Sequence, residues 1–211
     1  MSEVVVITGA SAGIGRATAL EFARHGARIG LIARDAEALE ETLEEVIRAG
    51  GSGRVLPLDV SMPDRVEEAA SAVERELGPI DVWINGAIVA MYSPVLDMRP
   101  EEFQRITEVG YLGQVYGTLA ALRRMVPRNR GSIVLIGSGL GYRAVPLQSA
   151  YCAAKFALRG FAESLQAELQ QMESRINLCY IAPSSVNTPY YTWAKSNMPR
   201  RPNAVPPVYE P

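Results

Sequence analysis

The stretch that decides the fold is EVVVITGASAGIGRATA (residues 3–19), where an apolar run leads into a glycine-rich loop and then into a helical pattern. Gly9, Gly13 and Gly15 permit a tight turn and let backbone N–H groups approach a pyrophosphate at the N-terminus of the next helix. Their spacing differs from the plain dinucleotide fingerprint, and the Lys-Ser/Thr pair of a Walker loop does not follow. The strand before the loop and the helix after it favour dinucleotide binding over a plain tight turn.

Outward from this loop, apolar β-rich runs alternate with longer helical patterns. The runs are continuously apolar, which indicates strands buried on both faces, as in a parallel sheet. Strands that alternate with helices predict βαβ units, so we expect an α/β fold with a doubly wound (Rossmann-like) parallel sheet in a single domain. The six recognisable strands are EVVVIT (3–8), ARIGLIA (27–33), GRVLPLDV (53–60), IDVWI (80–84), GSIVLIG (131–137) and RINLCYIA (175–182).

The domain is expected to span residues 1–190, because the strand and helix patterns continue without an internal linker to about that point. Residues 191–211 lose this periodicity and are rich in proline. We therefore predict an irregular C-terminal tail that runs over the surface of the domain.

Composition narrows the class of protein. The 48% hydrophobic content of the 211 residues supports a sizeable core, and the net charge of −2 comes from scattered charges without the basic patch that nucleic acid or an anionic membrane requires. Two cysteines, and no apolar run near ~18 residues, predict a soluble protein of the reducing cytoplasm. A single histidine, His25, argues against a His-rich zinc site, and we expect no metal.

The end of the second strand bears on the cofactor. NAD-dependent enzymes usually offer a carboxylate to the ribose 2′-hydroxyl about 20 residues beyond the loop. Here Arg34 lies 19 residues beyond Gly15, and Asp35 is better placed to cap the following helix. Arg34 could clamp a 2′-phosphate, so NADP(H) is favoured; the alternative is an exposed arginine at a strand end.

A second feature is the segment SAYCAAKFALRGF (149–161), in which Tyr151 and Lys155 are one helical turn apart and share a face. The chain has only one other lysine, Lys195, while 19 arginines fill the remaining cationic positions. Lys195 closes a second copy of the same pattern, YTWAK (191–195), but that copy lies in the predicted tail. The first copy is therefore the candidate site.

Together these segments resemble the short-chain dehydrogenase/reductase family over nearly the whole chain to about residue 190. TGASAGIGRA resembles its cofactor loop, DVWINGA (81–87) its N-N-A-G segment, YCAAK its Y-x-x-x-K motif and APSSVNTP (182–189) its nicotinamide-bordering segment. The resemblance implies a catalytic function for the domain, with Ser138, Tyr151 and Lys155 as the catalytic residues. With the loop and Arg34, it implies cofactor binding by Gly9, Ser11, Gly13, Ile14, Gly15, Arg34, Asp59, Val60, Asn85, Tyr151, Lys155, Pro183 and Thr188.

The function that this implies is an NADP(H)-dependent oxidoreductase that interconverts a carbonyl and a secondary alcohol. Tyr151 would exchange the proton, Ser138 would hold the substrate oxygen, and Lys155 would hold the nicotinamide ribose. A lysine cation ~4 Å from the phenol, at an effective dielectric constant of ~20, contributes about 4 kcal/mol. That is enough to bring a phenol pKa from about 10 to about 7, near the working pH of a general acid.

The sequence departs from the family pattern at three places. Gly110 stands where many members have an asparagine, Gly86 and Ile88 replace two residues of N-N-A-G, and Ser184 replaces a glycine. Any proton relay from Lys155 would then run through water or backbone carbonyls. The alternative function is a non-catalytic NADP(H)-binding redox sensor or interaction protein of the same fold.

The expected partners are a small apolar carbonyl or alcohol substrate and further copies of the chain. In the family, helices equivalent to 101–126 and 149–172 form a dimer contact, so we expect a homo-oligomer, a dimer or tetramer. The sequence given ends before the last strand and helix of the family, so we expect these C-terminal elements to be missing. Candidate substrate-lining residues are Met91, Tyr92, Leu140, Tyr142, Val145, Tyr190 and Trp193.

Overall fold

The computed structural model describes residues 2–200 and 202–211. At its centre is a six-stranded sheet in the order β3-β2-β1-β4-β5-β6, with every neighbouring pair parallel. This confirms the predicted doubly wound fold, and each strand lies within three residues of its predicted ends. The strands are β1 (Val4–Thr8), β2 (Arg28–Ala33), β3 (Ser52–Pro57), β4 (Val82–Asn85), β5 (Gly131–Ile136) and β6 (Ile176–Ile181).

Helices cover both faces of the sheet because the central strands are apolar on both faces. Val4 and Val6 of β1 belong to one core cluster, while Val5 and Ile7 belong to a second one on the opposite face. Helices α3, α5 and α6 contribute to the first cluster, and α1 and α2 to the second. The helices are α1 (Gly13–Arg24), α2 (Ala36–Arg48), α3 (Pro63–Leu77), α4 (Pro100–Thr107), α5 (Gly113–Met125) and α6 (Ser149–Gln171).

The helical pattern over 101–126 is not one regular helix. A π-helical segment, Glu108–Leu112, separates α4 from α5. A π turn contains an extra residue, which shifts the faces of the two flanking helices relative to each other. Gly110 lies at its centre, and Gly113 follows it closely against Val60: a Cβ at 113 would lie 2.7 Å from the valine methyl.

The tail beyond 190 is attached to the domain at two places. Lys195–Ser196 pairs in parallel with Met91–Tyr92, and Val208–Tyr209 pairs in parallel with Ser185–Val186. A four-residue helix, Tyr190–Trp193, comes first. The segment is thus joined to the loops that leave β4 and β6.

The carboxyl ends of the strands define where a ligand would bind. The chain runs from β1 outward to β3, then crosses back and continues from β4 outward to β6. In open α/β sheets the crevice lies at this switch point, outside the carboxyl ends of the strands. The glycine loop after β1 and the loops after β4, β5 and β6 therefore meet at one edge.

Candidate active site

The glycine loop after β1 is packed so tightly that side chains do not fit. Gly9 adopts φ = +75°, and a Cβ there would lie 2.8 Å from the carbonyl oxygen of Gly86. A Cβ at Gly15 would overlap the carbonyl of Gly9. The two glycines let the loop turn sharply between β1 and α1 and bring its backbone against the loop after β4.

The N-terminus of α1 is open to a ligand. Its N-cap residue, Ala12, makes no side-chain capping bond, so the first N–H groups of the helix have no side-chain acceptor at the cap. The next helix differs, because Asp35 caps α2 by accepting a hydrogen bond from the Ala38 N–H at 3.2 Å. An uncapped helix start beside a glycine cradle fits a pyrophosphate. Ser11 and Ile14 lie in the same loop and are partly buried.

Arg34 lies where the sequence placed it, at the carboxyl end of β2. Its side chain is exposed, and it forms no ion pair within residues 2–200 and 202–211. The guanidinium of Arg16, by contrast, forms a hydrogen-bonded ion pair with Glu45 at 2.9 Å, and this hydrogen bond raises the pKa of Arg16. Arg34 is thus a cation at the strand end that is available to an anion.

Asp59 and Val60 follow β3. Val60 is buried, and the Asp59 carboxylate accepts hydrogen bonds from the Ser61 backbone N–H at 3.0 Å and from the Ser61 hydroxyl at 2.8 Å. Arg105 of α4 forms an ion pair with the second carboxylate oxygen. Partial burial opposes ionisation, but the bonds from Arg105 and Ser61 outweigh it and lower the pKa of Asp59. Sequence reasoning missed Arg105, which reads as a surface residue of an amphipathic helix.

Asn85 at the end of β4 has a structural environment. Its Oδ1 accepts from Trp83 Nε1 at 3.0 Å, and its Nδ2 donates to Thr118 Oγ1 at 3.2 Å. The amide therefore joins β4 to α5. Thr8, which the sequence analysis did not select, plays a similar part: its hydroxyl accepts from the backbone N–H groups of Gly86 and Ala87 at 3.0 and 3.2 Å.

Ser138, Tyr151 and Lys155 are brought together by β5 and α6. Ser138 lies two residues beyond the end of β5 and is buried, and its hydroxyl accepts from the Leu140 N–H at 3.1 Å. The same side chain lies near the Tyr151 phenol and acts to lower its pKa. Lys155 is 2% exposed and donates from Nζ to the Ile136 carbonyl oxygen at 2.7 Å. The same Nζ lies 5.7 Å from the centroid of the Tyr151 ring. The three side chains form one cluster at the carboxyl edge of the sheet.

The electrostatics of this cluster differ from the simple expectation of an acidified phenol. Burial raises the pKa of Tyr151 above its ordinary value, although the nearby Ser138 side chain opposes this shift in part. Burial also lowers the pKa of Lys155 to about 7. The physical reason is that a low-dielectric environment disfavours both charged forms, so the lysine is a weaker source of charge than a solvated ammonium.

The segment after β6 borders the same edge. The carbonyl of Pro183 accepts from the Gly139 N–H at 3.2 Å, which joins this segment to the serine loop. Thr188 lies against the glycine loop: a Cβ at Gly13, where φ is +53°, would come within 2.9 Å of the threonine methyl. Ser184, the departure from the family glycine, is exposed.

Aromatic side chains surround the Tyr151 phenol. Tyr190 packs edge-on against Tyr151 with centroids 6.0 Å apart, and its hydroxyl accepts from Gln148 Nε2 at 3.2 Å. Tyr92 lies near the same hydroxyl. Among the candidate substrate-lining residues, these two tyrosines reach the cluster. Met91 is buried, Leu140 is partly buried, and the others are largely exposed: Tyr142, Val145 and Trp193.

Two departures from the family pattern lie against each other. A Cβ at Gly110 would meet Ile88 Cδ1 at 3.8 Å and Ala154 Cβ at 3.6 Å, which are ordinary contacts. Ile88, which replaces a glycine, thus partly fills the space that a side chain at 110 would use. A buried glutamine, Gln114, lies one turn further along and also contacts the end of β5. Its position was not singled out, because a lone glutamine in a helical pattern predicts a solvated residue.

A family comparison agrees with this arrangement. The family model described as short chain dehydrogenase matches residues 3–198. The chain belongs to this family. That membership supports a dehydrogenase or reductase role for the site described above.

Curated relatives share about a third of their residues with the chain. It is 35% identical over 201 residues to the uncharacterised oxidoreductase YxnA of Bacillus subtilis. The alignment covers 95% of the chain and 56% of YxnA. It is 32% identical to 3-dehydrosphinganine reductase of Danio rerio, over 92% of the chain and 60% of the relative. It is 33% identical to human 17-beta-hydroxysteroid dehydrogenase 13, over 88% of the chain and 62% of that relative. The chain thus spans about three fifths of the length of these relatives.

Solved structures match the fold closely. An alcohol dehydrogenase from the archaeon Thermococcus sibiricus, in complex with 5-hydroxy-NADP, superposes with a TM-score of 0.84 at 29% identity, over 93% of this chain and 82% of that one. A metagenomic short-chain oxidoreductase in complex with NADP superposes with a TM-score of 0.82 at 34% identity, over 87% of this chain and 83% of that one. Both complexes support a nicotinamide cofactor for the family fold seen here.

Proposed function

We propose that the protein is an NADP(H)-dependent oxidoreductase that interconverts a carbonyl and a secondary alcohol through Ser138, Tyr151 and Lys155. The observation that carries the proposal is the convergence of these three side chains. Ser138 lies close enough to the phenol to act on its pKa, and the Lys155 ammonium lies 5.7 Å from the centroid of the same ring. A packing tyrosine would have no need of either neighbour.

The proposed roles follow from the chemistry of each group. When bound, the nicotinamide supplies or accepts the hydride. Tyr151 gives a proton to the oxygen of the reduced product, or takes it in the reverse direction, and Ser138 holds that oxygen by a hydrogen bond. Lys155 binds the ribose hydroxyls. Its ammonium also favours the phenolate form of Tyr151 to the extent that the lysine is protonated.

Arg34 and the open start of α1 support NADP(H) over NAD(H). A 2′-phosphate needs a cation at the end of β2, and Arg34 is exposed there without an ion pair in the described residues. Both NADP-containing relatives described above support the same choice. We expect the protein to oxidise NADPH faster than NADH at equal concentrations.

The proposed substrate is an apolar carbonyl compound or secondary alcohol. Tyr92 and Tyr190 present apolar ring surface beside the phenol, and the relatives named for sphingoid and steroid substrates act on large apolar molecules. We also propose a homo-oligomer, a dimer or tetramer, in which the outer faces of α4, α5 and α6 are covered. Within residues 2–200 and 202–211 no helix is long and apolar enough to cross a membrane, and no cluster of three potential metal ligands occurs.

The test is Tyr151→Phe, which removes the proton donor and keeps the ring. We expect NADPH affinity, measured by nucleotide fluorescence, to be unchanged while ketone-dependent NADPH oxidation falls by at least about 100-fold, the lower range for loss of a general acid. Tyr209→Phe, which removes the same atom from an exposed tyrosine, should leave both unchanged. If Tyr151→Phe and the parent are equally active, the proposed role of Tyr151 as proton donor is refuted. A parent that binds NADPH but reduces no ketone or aldehyde of a broad panel would instead support the non-catalytic alternative.

A further inference from the structure

Gln114 is a buried polar residue that the proposed chemistry does not yet use. It lies in the first turn of α5, directly after the π-helical segment, and is 1% exposed. Its Nε2 donates to the Ile136 carbonyl oxygen at 3.2 Å. The Lys155 ammonium donates to this same oxygen at 2.7 Å. One carbonyl at the end of β5 therefore joins the glutamine of α5 to the lysine of α6.

The other end of the Gln114 amide has no partner. Oε1 is buried and accepts no hydrogen bond from any residue in the described ranges. Exchanging Oε1 and Nε2 would not solve this, because Oε1 would then face the Ile136 oxygen, and two acceptors cannot bond each other. A buried acceptor without a donor is unfavourable, so Oε1 needs a donor that comes from elsewhere.

Lys155 has the complementary need. An ammonium has three N–H donors, and the structure assigns an acceptor to one of them, the Ile136 oxygen. Since the side chain is 2% exposed, bulk water does not readily supply the rest. Three buried oxygens in the described residues lack a partner: Gln114 Oε1, Ser149 Oγ and Tyr180 Oη. Gln114 is the one whose side chain already bonds the acceptor of the lysine.

The contact between the π-helical segment and α6 lies next to this pair along the sequence, and it has no side chain at Gly110. Gly110 is four residues before Gln114, and Ala154 directly precedes Lys155. A Cβ added at Gly110 would meet Ala154 Cβ at 3.6 Å without crowding it. A water needs at least two polar partners, which Oε1 and the lysine N–H groups would supply.

We propose that Gln114 is a positioning residue for Lys155: it shares the Ile136 carbonyl with the ammonium and offers Oε1 as a second acceptor to it, directly or through one water. Gln114 thereby stabilises the charged form of the lysine at the site. The proposal deepens the oxidoreductase function and rests on it for the role of Lys155 in turnover. The effect of Gln114 on the protonation of Lys155 is independent of that function.

Charged groups do not compete for this role. Burial is the cause that lowers the pKa of Lys155 to about 7. The titratable side chains beside it on α6 and on the packed elements include tyrosines and a cysteine: Tyr111, Tyr142, Tyr151, Tyr180 and Cys152. The charged ones are paired or exposed at the surface: Arg105 with Asp59, Glu102 with Arg99, Arg159 with Glu163, Glu108 with Gln104, and Glu101 and Glu168 exposed. The dipole of a neutral amide therefore acts on Lys155 without a stronger field nearby.

The experiment is a direct titration of the lysine in the protein without added nucleotide. The chain has two lysines, so ¹³Cε-lysine labelling gives two NMR signals, and Lys195→Arg assigns them. We expect the Lys155 midpoint to move to lower pH in Gln114→Met, which loses the acceptor. It should move to higher pH in Gln114→Glu, which replaces the amide oxygen by a carboxylate of the same shape. Thr42→Val, which removes a buried hydroxyl from α2, should leave the midpoint at the parent value.

Each outcome decides the proposal. An unchanged midpoint in both Gln114 variants overturns it, and so does a rise in Gln114→Met, because the amide would then act only as a competitor for Ile136. If Gln114→Met does not fold, Gln114→Leu removes the same acceptor with a smaller apolar side chain and makes the same test. If the parent reduces ketones and the Lys155 midpoint is the same in the Gln114 variants, only the role of Gln114 is refuted. If the Lys155 midpoint shifts in the Gln114 variants as expected but the parent has no reductase activity, only the proposed function is refuted.

Discussion

At the scale of single residues, the site is governed by burial more than by contact between charges. The Lys155 side chain is almost fully removed from water and Tyr151 is partly buried, and burial is the largest cause that shifts each pKa toward the neutral form. The spacing of Tyr151 and Lys155 could be predicted from the sequence, because it is fixed by the helix. Their protonation could not, because desolvation depends on residues from other elements, such as Tyr190 and Gln114.

The depressed pKa of Lys155 predicts a pH-dependent stability. The folded-state value of about 7 lies below the ordinary 10.5, so the unfolded chain binds the extra proton between these values. The stability that the folded protein gains by keeping Lys155 neutral is fully present above pH 10.5 and is lost as the pH falls to about 7. The free energy of unfolding should therefore rise with pH from 7 to 9, by up to about 1.4 kcal/mol per pH unit. Urea unfolding at several pH values measures this slope.

Lys155→Met should remove this part of the slope, because it leaves no group to titrate. Lys195→Met, at the exposed second lysine, is the matched control and should keep the parent slope. Identical slopes in the parent and Lys155→Met would mean that the ammonium is compensated in the folded state.

At the scale of elements, the strands were predictable and the helix junctions were not. A run such as VVVIT has one stable placement, between two layers of helices, so its ends follow from its apolar residues. The π-helical segment Glu108–Leu112 has no such signal, since inserting one residue into a turn preserves the helical pattern on either side. It is recognisable only when Gly110 and Gly113 are seen packed against α6 and Val60.

Two glycines in helix interiors allow a matched test of how α5 packs. In α5, a Cβ at Gly117 would overlap the Asn85 side-chain oxygen, whereas at Gly160 of α6 nothing lies within 4 Å. Gly160→Ala should raise the free energy of unfolding by about 0.5–1 kcal/mol, since alanine is the better helix former. Gly117→Ala should lower it by about 1–3 kcal/mol through overpacking. Urea denaturation of both variants checks the signs; a stabilising Gly117→Ala would contradict the contact between α5 and β4.

At the scale of the whole molecule, the doubly wound order places every cofactor and catalytic candidate on one edge of the sheet. The sequence could predict this gathering, because the carboxyl ends of parallel strands share an edge. It could not predict that the tail lies over that edge, since the pairing of Lys195–Ser196 with Met91–Tyr92 involves two residues on each side and carries no hydrophobic pattern.

The exposed apolar residues on α5 and α6 predict the assembly. Leu119 and Phe156 are 41% and 40% exposed on the two helices whose outer faces would be covered in the proposed oligomer. A charge there would be buried without a partner, so Leu119→Glu and Phe156→Glu should convert the dimer or tetramer into smaller species at micromolar concentration. Ile47→Glu on α2, which is 57% exposed on the other side of the sheet, is the control and should assemble like the parent. Size-exclusion chromatography with light scattering gives the masses. An unchanged mass in both test variants, or a parent that is monomeric at every concentration, would refute this interface.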